Sequence, residues 1–212
     1  MQFIHPAIQE YIHNLNKKND SNLDLLNNLG KKDQIPIVDH EVGKFLYLLV
    51  LMHKPQNILE IGFGGGYSCL WMAKALCDTG KITTLELNTD RIEQGKQFFK
   101  NLNLLSKVNI LYVDAIKYLN ETDNTYDFIF LDAIKRSYLS YLPLIIKVIK
   151  KGGVFLADNI LFRGNVVKND VGKKYEVGTS IINEFNNELA KSPYFETIFL
   201  PIGDGISFSV RI

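Results

Sequence analysis

The chain has 212 residues, 46% of them hydrophobic and 22% charged, with a formal net charge of +1. That length and balance suit one well-buried globular domain and not a disordered or fibrous chain. The near-neutral charge argues against a large, strongly basic nucleic-acid surface while leaving room for a local patch.

At the N-terminus, "FIHPAIQEYIHNL" sets Ile4, Ile8, Ile12 and Leu15 on one helical stripe. Such a stripe is expected to pack on the domain or on a twin subunit, which makes a homodimer the expected assembly. No basic start leads into an apolar stretch with a small-residue cleavage site. The longest apolar run, Phe45 to Met52, is far below the roughly 18 residues that cross a bilayer. A cytoplasmic protein without a membrane partner is therefore expected. Residues 1–34 read as a helical extension and 35–212 as the main domain. His5, His13, His40 and His53 form no metal set.

From Asn57 onward, strand-like runs alternate with helical patterns. "NILEI" ends in a glycine run, and "YSCLWMAKAL" follows as a helix carrying both cysteines. Cys69 and Cys77 would then lie about 12 Å apart along its axis, too far for a disulfide, and read as buried apolar groups. "KITTLEL" is the second strand. "TDRIEQGKQFFKNLNL" is a helix with Thr89 as its N-cap. "KVNILYV", a polar helix "AIKYLNE" and "YDFIFLD" come next. The helix "SYLSYLPLIIKVIKK" is expected to stop at Gly152-Gly153, before the fifth strand "VFLAD". Strict alternation implies right-handed crossovers and a parallel sheet covered on both faces. A further helix presents Ile181, Ile182, Phe185 and Leu189 on one side. The chain then closes with "FETIFLPI" and "GISFSVRI" flanking Gly203-Asp204-Gly205, an antiparallel hairpin added to that sheet.

The run "LEIGFGGGYSCL" decides the ligand class. A P-loop is excluded because Tyr67-Ser68 follow the last glycine where Lys-Ser/Thr is required. The dinucleotide fingerprint starts at Gly62 and Gly64, but its third glycine would fall on Tyr67. What fits throughout is Glu-x-Gly-x-Gly-x-Gly, comprising Glu60, Gly62, Gly64 and Gly66. Small residues admit a bulky ligand, and the carboxylate suits an ammonium or sulfonium charge, so the implied cofactor is S-adenosylmethionine. Glu86, ending the second strand, stands where an acid accepts ribose hydroxyls. Asp114-Ala115, ending the third, stands where adenine is contacted.

Two more strands end in acids, giving Asp132 with Lys135 in "LDAIK" and Asp158-Asn159 in "ADN". In an open parallel sheet these tips share one crevice. Two carboxylates and an amide make a hard oxygen set suited to Mg²⁺, Ca²⁺ or Mn²⁺.

"LEIGFGGGYS", "LELN", "LDAIK" and "ADN", in this order, resemble the metal-dependent, S-adenosylmethionine-dependent O-methyltransferases of the catechol and caffeoyl-CoA type, from about Ile35 to the C-terminus. The resemblance implies a Rossmann-like class I methyltransferase, an α/β fold with a seven-stranded, mostly parallel sheet and helices on both faces. It implies metal ligation by Asp132, Asp158 and Asn159, and a catalytic base at Lys135, which takes the proton once the metal and partial burial depress its pKa. Cofactor contacts are implied at Glu60, Gly62, Gly66, Tyr67, Ser68 and Glu86, with Gly64, Asp114, Ala115 and Asp132 completing the cofactor side. The chain departs from catechol-specific members at Asp132-Ala133-Ile134, where those carry an aromatic residue, and this disfavours catechol itself.

"KKDQIPIVDHEVGKFLYLL", preceded by a helical arm, resembles the bacterial branch that methylates 5-hydroxyuridine at the tRNA wobble position. That would make the tRNA anticodon loop the partner, with Lys31, Lys32, Arg136, Arg163, Lys168, Lys173 and Lys174 as candidate phosphate contacts. A small phenolic acceptor fits the same chemistry. A binding module without turnover is the alternative of a different class.

Overall fold

The computed structural model describes residues 5–17 and 20–212. The expected stripe residue Ile4 lies outside them. β1 (Asn57–Ile61) lies at the centre of five parallel strands, with β2 (Lys81–Glu86) and β3 (Val108–Tyr112) on one side and β4 (Tyr126–Leu131) and β5 (Ile149–Asp158) on the other. β6 (Phe195–Leu200) and β7 (Ile206–Arg211) form a hairpin whose second strand pairs antiparallel with β5. The order is β3-β2-β1-β4-β5-β7-β6, so the seven-stranded, mostly parallel sheet expected from the sequence is the one formed.

Both faces of the strands are apolar because both are covered. Ile58, Phe128, Phe130 and Leu156 point into one buried cluster, while Leu59, Ile129, Leu131 and Phe155 point into the other. The first layer is closed by α2 (Ser21–Lys32), α3 (His40–His53), α4 (Tyr67–Ala75) and α5 (Thr89–Asn101). The second is closed by α6 (Ala115–Glu121), α7 (Tyr138–Val148) and α8 (Lys173–Lys191). α4 is buried all round from Tyr67 to Ala73, wedged between the sheet and α3. The approach of α3 requires Gly43, where a Cβ would stand 2.2 Å from Trp71 Nε1.

Leu23 and Leu26 of α2 are buried in the first core cluster, and Asp20 caps that helix while pairing with Lys74 at 2.7 Å. α1 (Pro6–Asn16) differs. None of its side chains is buried, and Ile8 and Leu15 are exposed, so the apolar stripe is not covered within the chain. Polar contacts hold it to α3: His13 Nδ1 lies 3.0 Å from Glu41 Oε1, and His40 Nε2 lies 3.3 Å from the Asn16 carbonyl. Among the described residues, no helix is long and apolar enough to cross a membrane.

Three local expectations are corrected. The cap of α5 is Asn88, whose side chain accepts from Arg91 N–H at 3.0 Å, so Thr89 is the first helical residue. α4 ends at Ala75, which leaves Cys77 beyond it; Cys69 is buried, but Cys77 is half-buried with its Sγ near Gln56 and Thr79. α7 ends at Val148, because Ile149 already pairs with Tyr126 across the sheet. Gly152-Gly153 therefore lie within β5, where the register with β4 is irregular. Glycines in a strand often mark such an irregularity instead of a helix end.

Candidate active site

The chain leaves β1 for β2 and β3 on one side, then returns to β4 and β5 on the other. Beyond the carboxyl ends of β1 and β4 the loops diverge and leave a crevice, the usual ligand position in such sheets. Here it has a volume of about 1930 Å³.

The four glycines after β1 divide into two kinds. Gly62 (φ +102°) is demanded by the sheet, since a Cβ there would lie 2.0 Å from the Asp132 carbonyl oxygen. Gly66 (φ +78°) caps α4 and packs under Phe63. Neither Gly66 nor Glu60 lines the crevice. Gly62, Gly64 and Gly65 do, and a Cβ on Gly65 would meet nothing closer than 3.8 Å. Gly65 is absent from the sequence-based set although its backbone is the most open of the three.

Glu60 is fully buried one layer behind. It accepts from Ser68 Oγ and Thr84 Oγ1, each at 2.6 Å. Burial pushes its pKa up to about 7, partly countered by those two hydroxyls and reinforced by the charge of Asp132. Ser68 lines the crevice, so Glu60 reaches a ligand's surroundings through that hydroxyl, and Tyr67 lines it beside Ser68.

Glu86 faces the crevice from the end of β2. Its Oε1 accepts from Leu87 and Asn88 N–H at 2.7 and 2.9 Å, and its Oε2 from Gly64 N–H at 3.1 Å. Arg91, another lining residue that the motifs did not indicate, lies 3.9 Å from Glu86. Asp114 caps α6 through Lys117 N–H at 2.9 Å, and with Ala115 completes this end.

The tips of β4 and β5 hold the other set. Lys135 Nζ donates to Asp132 Oδ1 at 2.8 Å, to the Ala133 carbonyl at 3.1 Å and to Tyr138 Oη at 3.0 Å. Tyr138, fully buried, donates in turn to the Asp158 carbonyl at 2.9 Å and so links the two tips. Burial alone would lower the Lys135 pKa, but Tyr138 and Asp132 outweigh it and the net shift is upward. Burial by itself therefore does not depress the lysine pKa; the expected depression would have to come from a bound cation, and these two neighbours favour the ammonium form.

Asp158 is 2% exposed, and its Oδ1 accepts from Asn159 N–H at 2.6 Å. Burial first and the Asp132 charge second push its pKa well above the usual carboxylate range. A buried carboxylate facing another carboxylate is the environment a cation stabilises. Among the described residues no three His, Cys, Asp or Glu side chains gather into a metal site, so a three-donor set here needs the Asn159 amide. Asp132, Asp158 and Asn159 all line the crevice, and their hard oxygens fit a divalent cation such as Mg²⁺. Of the candidate phosphate contacts, Lys31, Arg163 and Lys174 line it, whereas Lys32, Arg136, Lys168 and Lys173 do not.

The model of the O-methyltransferase family matches residues 17–212. The chain is similar to caffeoyl-CoA O-methyltransferase 1 of Arabidopsis thaliana, with 35% identity over 80% of this chain and 69% of that one. Among solved structures it is similar to an O-methyltransferase from Bacillus cereus in complex with SAH, with TM-score 0.84, 28% identity and 97% of each chain covered. It is also similar to the O-methyltransferase TomG from Streptomyces achromogenes in complex with SAM, with TM-score 0.84, 25% identity, and 97% and 96% covered. With a donor-sized glycine turn at β1, an acid at the tip of β2 and a family match over nearly its whole length, the chain belongs to the S-adenosylmethionine-dependent O-methyltransferase family.

Proposed function

We propose that this methyltransferase depends on a divalent cation and methylates a hydroxyl that has a second oxygen beside it, on a phenolic acceptor carrying phosphate. The observation that carries this reading is the convergence of Asp132, Asp158, Asn159 and Lys135 on one wall of the crevice that the glycine turn also lines. Caffeoyl-CoA, named for the relatives at about 35% identity, has such a pair of oxygens and a phosphate-bearing carrier. Lys31, Arg163 and Lys174 on the rim suit that phosphate.

Gly64, Gly65, Ser68, Glu86, Asp114 and Ala115 are the residues that would hold S-adenosylmethionine, the source of the methyl group. Asp132, Asp158 and Asn159 would hold the cation, whose chemistry is to lower the pKa of a bound hydroxyl and orient it. Lys135 keeps a proton at Nζ as long as Asp132 and Tyr138 hold it, and in that state it stabilises an acceptor oxyanion by donating to it. It becomes the base expected from the sequence only when Asp132 is withdrawn from it. Tyr138 fixes the lysine's position from below.

A second reading has its own support. The crevice exceeds the roughly 300–1,000 Å³ common for small-ligand sites. The same rim cations would serve the phosphates of a tRNA anticodon loop carrying 5-hydroxyuridine. Transfer of labelled methyl to caffeoyl-CoA, to free phenols and to tRNA bearing 5-hydroxyuridine, each with Mg²⁺ and with EDTA, separates the readings. Transfer that EDTA leaves untouched would overturn the cation dependence, and labelling of free phenols alone would overturn the role of phosphate.

A further inference from the structure

In the sequence, Gly203-Asp204-Gly205 reads only as the turn between β6 and β7. In the fold this turn lies against residues 159–163, the segment that leaves β5. Ile160 N–H donates to the Gly205 carbonyl at 3.1 Å, and Leu161 N–H to the Asp204 carbonyl at 3.0 Å. Arg163 N–H donates to Asp204 Oδ1 at 2.6 Å. The first two bonds use backbone that any residue offers, but the third depends on the aspartate side chain. Contact is close, since a Cβ on Gly205 would stand 2.4 Å from Leu161 Cγ.

The segment held in this way is conformationally costly. Asn159, Phe162 and Arg163 all have left-handed backbones, with φ of 58°, 45° and 57°. Asparagine tolerates that region, but for Phe and Arg it costs on the order of 1 kcal/mol each, so surrounding bonds must impose it. Burial raises the Asp204 pKa, and the Arg163 N–H and, less strongly, the Asn159 side chain pull it back.

We propose that Asp204 is a positioning residue: by locking the left-handed turn after β5 it fixes the Asn159 amide beside Asp158 and Asp132. The proposal rests on the reading of those three residues as a cation site. Asp204 stands outside the proposed ligand set and acts through the Arg163 N–H bond, which with the two backbone bonds fixes the chain leaving Asn159.

The test uses the full chain with Asp204→Ala, Asp204→Asn and the double variant Asp204→Ala/Arg163→Gly, titrated calorimetrically with Mg²⁺ in the presence of S-adenosylhomocysteine. Loss of an outer partner of a metal ligand typically weakens binding about 10–100-fold, and that is the expected effect of Asp204→Ala. Asp204→Asn keeps an acceptor for Arg163 N–H and should bind Mg²⁺ like the wild type. Arg163→Gly should restore part of the loss, because glycine enters the left-handed region without strain. Affinity for S-adenosylhomocysteine should not change, and amide hydrogen exchange at residues 160–163 should quicken in Asp204→Ala alone. If Asp204→Ala does not fold, Asp204→Ser, too short to reach Arg163 N–H, takes its place. Mg²⁺ affinity and exchange both equal to wild type in these variants would overturn the proposal. A wild-type chain that binds no Mg²⁺ would overturn the cation reading instead, and unchanged exchange at 160–163 would then decide separately against the Asp204 lock.

Discussion

At the β1–β2 end of the crevice the carboxylates are saturated with donors, whereas at the β4–β5 end Asp158 is buried within reach of the Asp132 charge. Glu60 is met by two hydroxyls, Glu86 by three backbone N–H groups and Asp114 by the first turn of α6. Asp158, by contrast, is buried near Asp132 with the N–H of its own neighbour as donor, and the segment beyond it is held in left-handed conformations. The first end is finished by the protein's own backbone and should bind its ligand with little rearrangement. The second gathers two carboxylates beside Lys135, the arrangement on which the proposed cation dependence rests.

The contrast can be broken at each end. Gly62→Ala should abolish folding or cost more than about 4 kcal/mol, since its Cβ has no room beside Asp132. Gly65→Ala should keep the thermal midpoint within a few degrees and weaken donor binding; equal stability losses in the two variants would erase the distinction between sheet-imposed and ligand-facing glycines. Asp158→Asn should lower methyl transfer about a thousandfold, ~4 kcal/mol in barrier, while raising the melting temperature in EDTA because a disfavoured buried charge is gone. A variant that is both slow and less stable would mean that Asp158 is a structural anchor. Lys135→Ala should cost about a hundredfold in turnover and leave S-adenosylhomocysteine affinity unchanged by calorimetry.

How much of this was legible in the sequence follows the same division. The alternation of strands and helices, the hairpin and the acids at the strand tips could be read because periodicity and terminal position are local signals. Gly65 could not be ranked above Gly66, because which glycine faces the ligand depends on Phe63 and Phe99 packing under Gly66. Tyr138 reads as one more apolar helix residue, and only the fold brings its hydroxyl under Lys135. The end of α7 was misplaced because Ile149, Lys150 and Lys151 suit a helix, and the pairing of Ile149 with Tyr126 overrides that preference. The two oxygens that raise the lysine pKa against its burial were not legible either, because only the fold brings Asp132 and Tyr138 to Nζ.

The smallest effect probes the saturated end directly. Glu60 has its pKa raised from 4.5 to about 7, chiefly by burial, so the folded protein holds this proton more tightly than the unfolded chain does. For such a group the stabilising contribution is complete below about pH 4.5 and disappears as the pH rises through about 7. Glu60→Gln keeps groups that can bond to Ser68 and Thr84 but does not titrate. In EDTA, where no cation alters the neighbouring Asp132, the stability of the wild type relative to this variant should fall by about 1 kcal/mol between roughly pH 6 and pH 7.5. For a chain of this length that corresponds to about 2–4 °C in melting temperature. A difference that stays flat across the window would mean that Glu60 is already ionised at pH 6 and that Ser68 and Thr84 compensate its burial in full.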